Sequence, residues 1–336
     1  MIQLLLFPVA AMALTFLVLM PFLSVFSLLY LKWQRRHQAW QSYATSSTYT
    51  AIVAPTILSL CWLGSAAVHE SESMQFVQNC LVEHSSTHCV DSLMIFLMIL
   101  AALIWVVLSR LDFITARHTL APFNVVSESS DEFLMIERLK RQTPSLRRMK
   151  VVVVNDAPFA AMTFGAVPKI YVSRAFIEQS DTEVILATLL HEASHVRGKD
   201  PLRYMIADLL LQLNPVGWLL RREFWLWQDA REAKCDHTAV TEGADAMALA
   251  HGVVKAIKFE RQSTQNYSAK LLGHTPHHLK LRIALLMGGL GNQTTKRPVG
   301  IVAFGFLLIL SVCLPHKVTM LSLWPVHHFV ESQLIP

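Results

Sequence analysis

Residues 180–198 read SDTEVILATLLHEASHVRG, and this stretch decides how the chain is read. Val184, Ile185, Ala187 and Leu189 give it the apolar face of a helix. Ser180 with Glu183 has the spacing of a capping box, and Gly198 supplies a stop, so a helix is expected between them. On that helix His191 and His195 lie four apart, hence on one face, where both imidazoles can bind a single Zn²⁺. Glu192 sits beside them as a candidate base. A shuffled chain with the same 15 histidines would show this pattern only about 0.03 times. That rarity, on an independently expected helix, favours a metal motif over two solvated histidines.

A catalytic zinc needs a third protein ligand and an open position. Asn214-Pro215 breaks the chain downstream, and a new helix is expected from Trp218 through Asp236. Glu232 and Asp236 share a face of it, so Glu232 can ligate while Asp236 accepts a hydrogen bond from a ligating histidine. Cys235, between them, is expected to be a small buried residue and not a ligand. Asp200 reads as an N-cap with Pro201 at the first helical position, a catalytic role being the less favoured alternative. The segment 201–220 is apolar enough to span a membrane, yet a single crossing would put Glu232 opposite His191. It is therefore expected to return, packed on the spans or the membrane surface. Two strands are expected upstream, 150–154 and 168–173 (PKIYVS), and a helix over 131–142. Tyr171 and His237 are candidate donors to a developing oxyanion. PKIYVS could also serve as an edge strand that pairs with extended substrate, or be an ordinary core strand.

Outside this region the composition changes. Over all 336 residues the chain is 53% hydrophobic and 16% charged, which excludes a disordered chain, a disulfide scaffold and an ordinary cytosolic enzyme. The five cysteines include no Cys-x-x-Cys pair, which argues against a zinc ribbon or thioredoxin-like site. The net charge of +5 is read as membrane anchoring, with no direct nucleic-acid binding. Four stretches have the length and apolarity of spans: 2–31, 51–68, 93–109 and 299–315. The first lacks a basic leader and is not expected to be a cleaved signal peptide. Lys32, Arg35 and Arg36 follow the first span, Arg110 and Arg117 the third, and Lys296 and Arg297 precede the fourth, while the loop 69–91 carries Glu70, Glu72, Glu83 and Asp91 and no Lys or Arg. The expected fold is an α-helical multi-pass membrane protein: three transmembrane helices in 1–110, an inserted α+β zincin-type metallopeptidase domain at 111–298, the fourth helix at 299–315, and a short tail at 316–336. With positive charge inside, the catalytic domain is cytoplasmic and both termini lie outside a bacterial inner membrane.

The motifs HEASH, VRGKDP, NPVGWLLRREF and REAKCD, with VVVVND and FGAVPKIYVS upstream, resemble the BlaR/MecR family of membrane metallopeptidases, over about residues 1–315. The resemblance implies a gluzincin site with His191, His195 and Glu232 as zinc ligands and Glu192 catalytic. It also implies signal transduction, ending in cleavage of a cytoplasmic DNA-binding repressor in response to an outside cue. HtpX-like quality-control proteases share the HExxH…ExxxD logic but place their spans differently; a sensor or scaffold with a structural zinc is the third reading. The family's antibiotic sensors carry a penicillin-binding domain after the last span. Only 316–336 remain here, with no Ser-x-x-Lys, so β-lactam sensing is not expected.

The outside loop holds Cys80 and Cys89, which are expected to pair, since cysteines outside the cytoplasm tend to do so. His84 and His88 in the same loop keep a competing reading open, a transition-metal site.

Overall fold

The computed structural model describes residues 14–37, 43–68, 124–155, 157–165, 167–263 and 276–287. A π-helical turn, Leu14–Leu19, leads into α1 (Met20–His37), and α2 is Ser46–Val68. These two are long and apolar enough to cross a membrane. The expected spans 93–109 and 299–315, the loop with Cys80 and Cys89, and the tail 316–336 lie outside the described residues.

The second part begins with α3 (Asp131–Gln142), capped by Ser130, whose hydroxyl accepts from the Phe133 N–H. Three short strands follow: β1 (Val151–Val154), β2 (Ala161–Phe164) and β3 (Lys169–Ser173). Then come α4 (Arg174–Glu178), α5 (Thr182–Gly198), α6 (Asp200–Leu213), α7 (Trp218–Thr241), α8 (Ala246–Ser263) and α9 (Pro276–Met287). The sheet order is β1-β3-β2, with β1 and β3 parallel and β2 antiparallel to β3. PKIYVS is therefore the central strand. The edges are β1 and β2; β2, a strand the sequence did not announce, lies against α5.

Two large apolar clusters hold these parts, beside a small one at Trp62 and Leu63. One joins the sheet, α3, α5 and α8 around Ile136, Ile170, Phe176, Ile185 and Leu189. The other joins α1 and α2 to α6 and α7 around Leu31, Ile52, Leu211, Phe224 and Trp227. Residues 201–220 thus form no single crossing helix: α6 runs one way, Asn214–Gly217 turns, and α7 returns.

Both ends of α5 differ from expectation. The N-cap is Asp181, one residue later than Ser180, and the Ser180 hydroxyl is buried without a hydrogen bond. The acidic Asp181 still complements the helix dipole, so the start is displaced by one residue, not lost. At the other end Gly198 is still helical, and Lys199 takes the left-handed conformation at φ 52°. That turn closes α5 and starts α6 at once, with Asp200 as its first residue instead of its cap. Gly198 is needed for another reason: a Cβ there would lie 2.2 Å from Arg231 Nη2 and 2.7 Å from Asp200 Oδ1.

Candidate metal centre

The register of α5 and the return of α7 bring three ligand side chains together. His191 Nε2 and His195 Nε2 are 3.2 Å apart. Glu232 Oε2 is 3.4 Å from His191 Nε2, and Glu232 Oε1 is 3.4 Å from His195 Nε2. A tetrahedral zinc with bonds of about 2.0–2.1 Å needs ligand atoms about 3.3 Å apart. The two imidazole nitrogens meet that spacing with each other, and each meets it with one of the two Glu232 carboxylate oxygens.

Each imidazole is held from behind. His195 Nδ1 lies 2.8 Å from Asp200 Oδ2, and Asp200 accepts from Arg231 Nε with both oxygens, at 2.9 and 2.8 Å. Arg231 also donates to the Ser194 carbonyl. His191 Nδ1 lies 2.9 Å from Asp236 Oδ1, in ion-pair contact. Asp236 in turn accepts two bonds from Arg282, from Nε at 2.7 Å and Nη2 at 2.8 Å. Arg282 Nη1 also sits 3.1 Å from Glu232 Oε2. The centre thus has two matching chains, His195–Asp200–Arg231 and His191–Asp236–Arg282. In each, a carboxylate orients a ligand and a buried guanidinium holds the carboxylate.

Glu192 is placed differently. Its Oε2 accepts from the Thr163 hydroxyl at 2.7 Å, and its backbone carbonyl accepts from the same hydroxyl at 3.1 Å. Thr163 stands on the edge strand, so the candidate base is fixed between the zinc-motif helix and the edge of the sheet. Thr163 pairs with Ile170, and cross-strand partners share a face. Tyr171, the next residue, therefore points to the other face, away from Glu192, and is removed as an oxyanion donor. His237 Nδ1 is buried without a hydrogen bond. Cys235 is buried, with Sγ 3.5 Å from His195 Nδ1, on the side of the ring away from the ligand triangle.

The electrostatics suit a dication. Glu192, Asp200, Glu232 and Asp236 face Arg231 and Arg282, with Arg203 4.0 Å from Asp200, so carboxylates outnumber guanidiniums by one when the histidines are neutral. Burial alone would depress His191, but the carboxylates of Asp236 and Glu232 outweigh it and raise it to about 10. His195 is likewise raised well above its usual value: burial opposes, while Cys235, Glu232 and Asp200 favour the proton. Burial would raise Asp236, yet Arg282 and His191 bring it down to about 2. Glu232 is held well below the usual carboxylate range by His195 and Arg282, against its burial. Without a metal, the imidazoles gather the protons that would offset the excess negative charge.

Of the residues expected from sequence, the structure brings together His191, Glu192, His195, Glu232 and Asp236. Sequence reasoning missed Thr163, Arg231 and Arg282, and placed Asp200 at a helix cap instead of behind His195. Arg282 did leave a signal: Leu285 and Leu286 follow it at the i+3 and i+4 positions, so a charged residue stands in an apolar row.

No curated protein and no solved structure matches the chain. Residues 134–275 match the model of Peptidase family M48, a segment that holds α5 and α7 and all three members of the ligand triangle. The matched segment, less than half of the chain, is similar to a metal-dependent peptidase family, and the match does not reach the BlaR/MecR subtype.

Proposed function

We propose that the protein is a membrane-bound zinc endopeptidase that cuts extended polypeptide segments on the cytoplasmic side. The ligand cluster carries this reading: the two Nε2 atoms lie 3.2 Å apart, each lies 3.4 Å from one oxygen of the Glu232 carboxylate, and a general base stands next to them. Zinc, when bound, supplies a water of lowered pKa and polarises the scissile carbonyl. Glu192, steadied by Thr163, takes the water's proton and delivers it to the leaving amine. Asp200 and Asp236 keep both imidazoles turned with Nε2 inward. The outer edge of β2 bears no strand among the described residues, so an extended substrate can pair along it beside Glu192. Chelation should abolish hydrolysis, and one equivalent of zinc should restore it. Activity that survives full metal removal would end the proposal.

Two biological roles fit this chemistry. The motif resemblance supports signalling that leads to repressor cleavage. The shared HExxH…ExxxD logic keeps a quality-control role as the alternative. Proteomics of cells with the intact protein against a Glu192→Gln version separates them. Accumulation of one intact DNA-binding repressor favours signalling; accumulation of many membrane proteins favours quality control. A silent scaffold would leave the proteome unchanged.

A further inference from the structure

Hydrogen bonds between α2 and α6 form a ladder. Tyr49 donates its hydroxyl to the Arg203 carbonyl at 3.0 Å, and Thr56 donates to the Leu210 carbonyl at 3.0 Å, with a sequence offset of 154 both times. Helices that keep a constant offset over two turns run parallel and level. The same offset sets Asp200, behind the metal centre, beside Ser46, the first residue of α2. At the far end Asn214, in the α6–α7 turn, donates to Ser24 of α1 at 2.9 Å and to Thr56 at 3.4 Å. At the near end Trp227 donates to the Thr45 carbonyl, and Glu223 is held by Arg35 and Tyr43.

These contacts act as a ruler. Ser24 lies about 12 Å along α1 from Lys32, at roughly 1.5 Å per residue. Half of the hydrocarbon core is about 15 Å. The turn at Asn214 therefore sits deep in one leaflet without crossing. Its surroundings agree. Trp218 beside the turn is 70% exposed and Phe22 of α1 is 68% exposed, as lipid-facing residues would be. Asp208 and Arg221, one on each arm, neutralise each other at 3.2 Å, Asp208 about 9 Å back from the turn and Arg221 about 4.5 Å. Measured from the turn, Asp200 lies about 21 Å down α6, and Glu232 lies about 21 Å along α7 from Trp218. The two arms agree, and the metal centre falls about 9 Å outside the Lys32 level.

We infer that the α6–α7 hairpin is inserted in the inner leaflet and that the resulting height of the metal centre selects the substrate: polypeptides anchored in the same bilayer, cut within the first several residues beyond their anchoring span. This deepens the zinc-endopeptidase reading and rests on it. An extended chain rises about 3.3 Å per residue, so about three residues bridge the gap from lipid to centre. A tether of that length confers a millimolar effective concentration, which a soluble chain lacks.

The test uses the full chain, loaded with zinc, in vesicles of phosphatidylcholine and phosphatidylglycerol. The probe is one unstructured casein-derived segment, presented untethered or behind a single-span peptide with Gly/Ser spacers of about 3, 10 and 30 residues. The shorter spacers should be cut at least about tenfold faster than the untethered segment, with the longest falling back towards it. Mass spectrometry should place the cuts near the span. Equal rates for all forms, or cuts placed without regard to the span, overturn the inference and leave the endopeptidase reading standing. No cleavage of any form overturns both.

Discussion

Arg282 donates two hydrogen bonds to Asp236, at 2.7 and 2.8 Å, and reaches Glu232 at 3.1 Å with its remaining nitrogen. One buried guanidinium thus joins a metal ligand to the carboxylate behind another ligand. Removing one partner of a buried pair typically costs about 3–5 kcal/mol, because the other charge stays buried and unpaired. Arg282→Ala should destabilise the domain and weaken zinc by about 10–100-fold. Arg282→Lys should recover part of the stability but not the paired geometry. Thermal melts and zinc titrations on both variants decide this; unchanged affinity in Arg282→Ala would remove Arg282 from the centre. The pair is also acid-sensitive. Asp236, depressed to about 2 in the fold, contributes stability that is present above the ordinary carboxylate value near 3.9 and is lost as pH falls towards 2.

Gly198 and Arg231 form a second coupled pair. An added Cβ at 198 would meet Arg231 Nη2 at 2.2 Å, while the helical backbone there accepts alanine readily. Gly198→Ala should cost about 1–3 kcal/mol, as overpacking does, and loosen Asp200 from His195. In an Arg231→Leu background the added cost should shrink, a non-additivity that a double-mutant cycle reads directly. Full additivity would mean that the close approach does not matter.

Thr163→Val should lower kcat by about tenfold or more while zinc content stays at one per chain, since Thr163 touches the base and no ligand. Thr163→Ser, which keeps the hydroxyl, should restore most of the rate. A loss of zinc in Thr163→Val would assign the residue to the metal instead.

The raised histidines make a prediction about protons. The surrounding carboxylates favour a proton on the metal-free imidazole pair, with His191 raised to about 10, whereas Glu232 is held well below the usual carboxylate range. Zinc must displace protons there, so binding should release roughly one to two per metal and weaken as pH falls. Calorimetry in buffers of different ionisation enthalpy measures the number. Release near zero would show that the imidazoles are neutral before the metal arrives.

How much of this was legible depends on how local each signal was. His191, Glu192 and His195 could be read because one helix carries them all, and Glu232 with Asp236 because a second helix repeats the four-residue spacing. Arg282 could not be assigned, since its partner lies a whole helix pair away and nothing in its own segment points to Asp236. Thr163 was hidden for a different reason: Ala161–Phe164 is too short and mixed to announce a strand and forms only by pairing with β3. Asp200 looked like a cap because a cap is the local use of an aspartate before proline. Lys199 turning left-handed is what sends it back onto His195.

The central claim, that Glu192 moves the proton while His191, His195 and Glu232 hold the metal, comes down to one comparison. Zinc content and peptide hydrolysis are measured together on the intact protein, Glu192→Gln and Glu232→Ala. The account predicts one zinc and no hydrolysis for Glu192→Gln, and little zinc and no hydrolysis for Glu232→Ala. Hydrolysis retained by Glu192→Gln, or full zinc occupancy in Glu232→Ala, would contradict it.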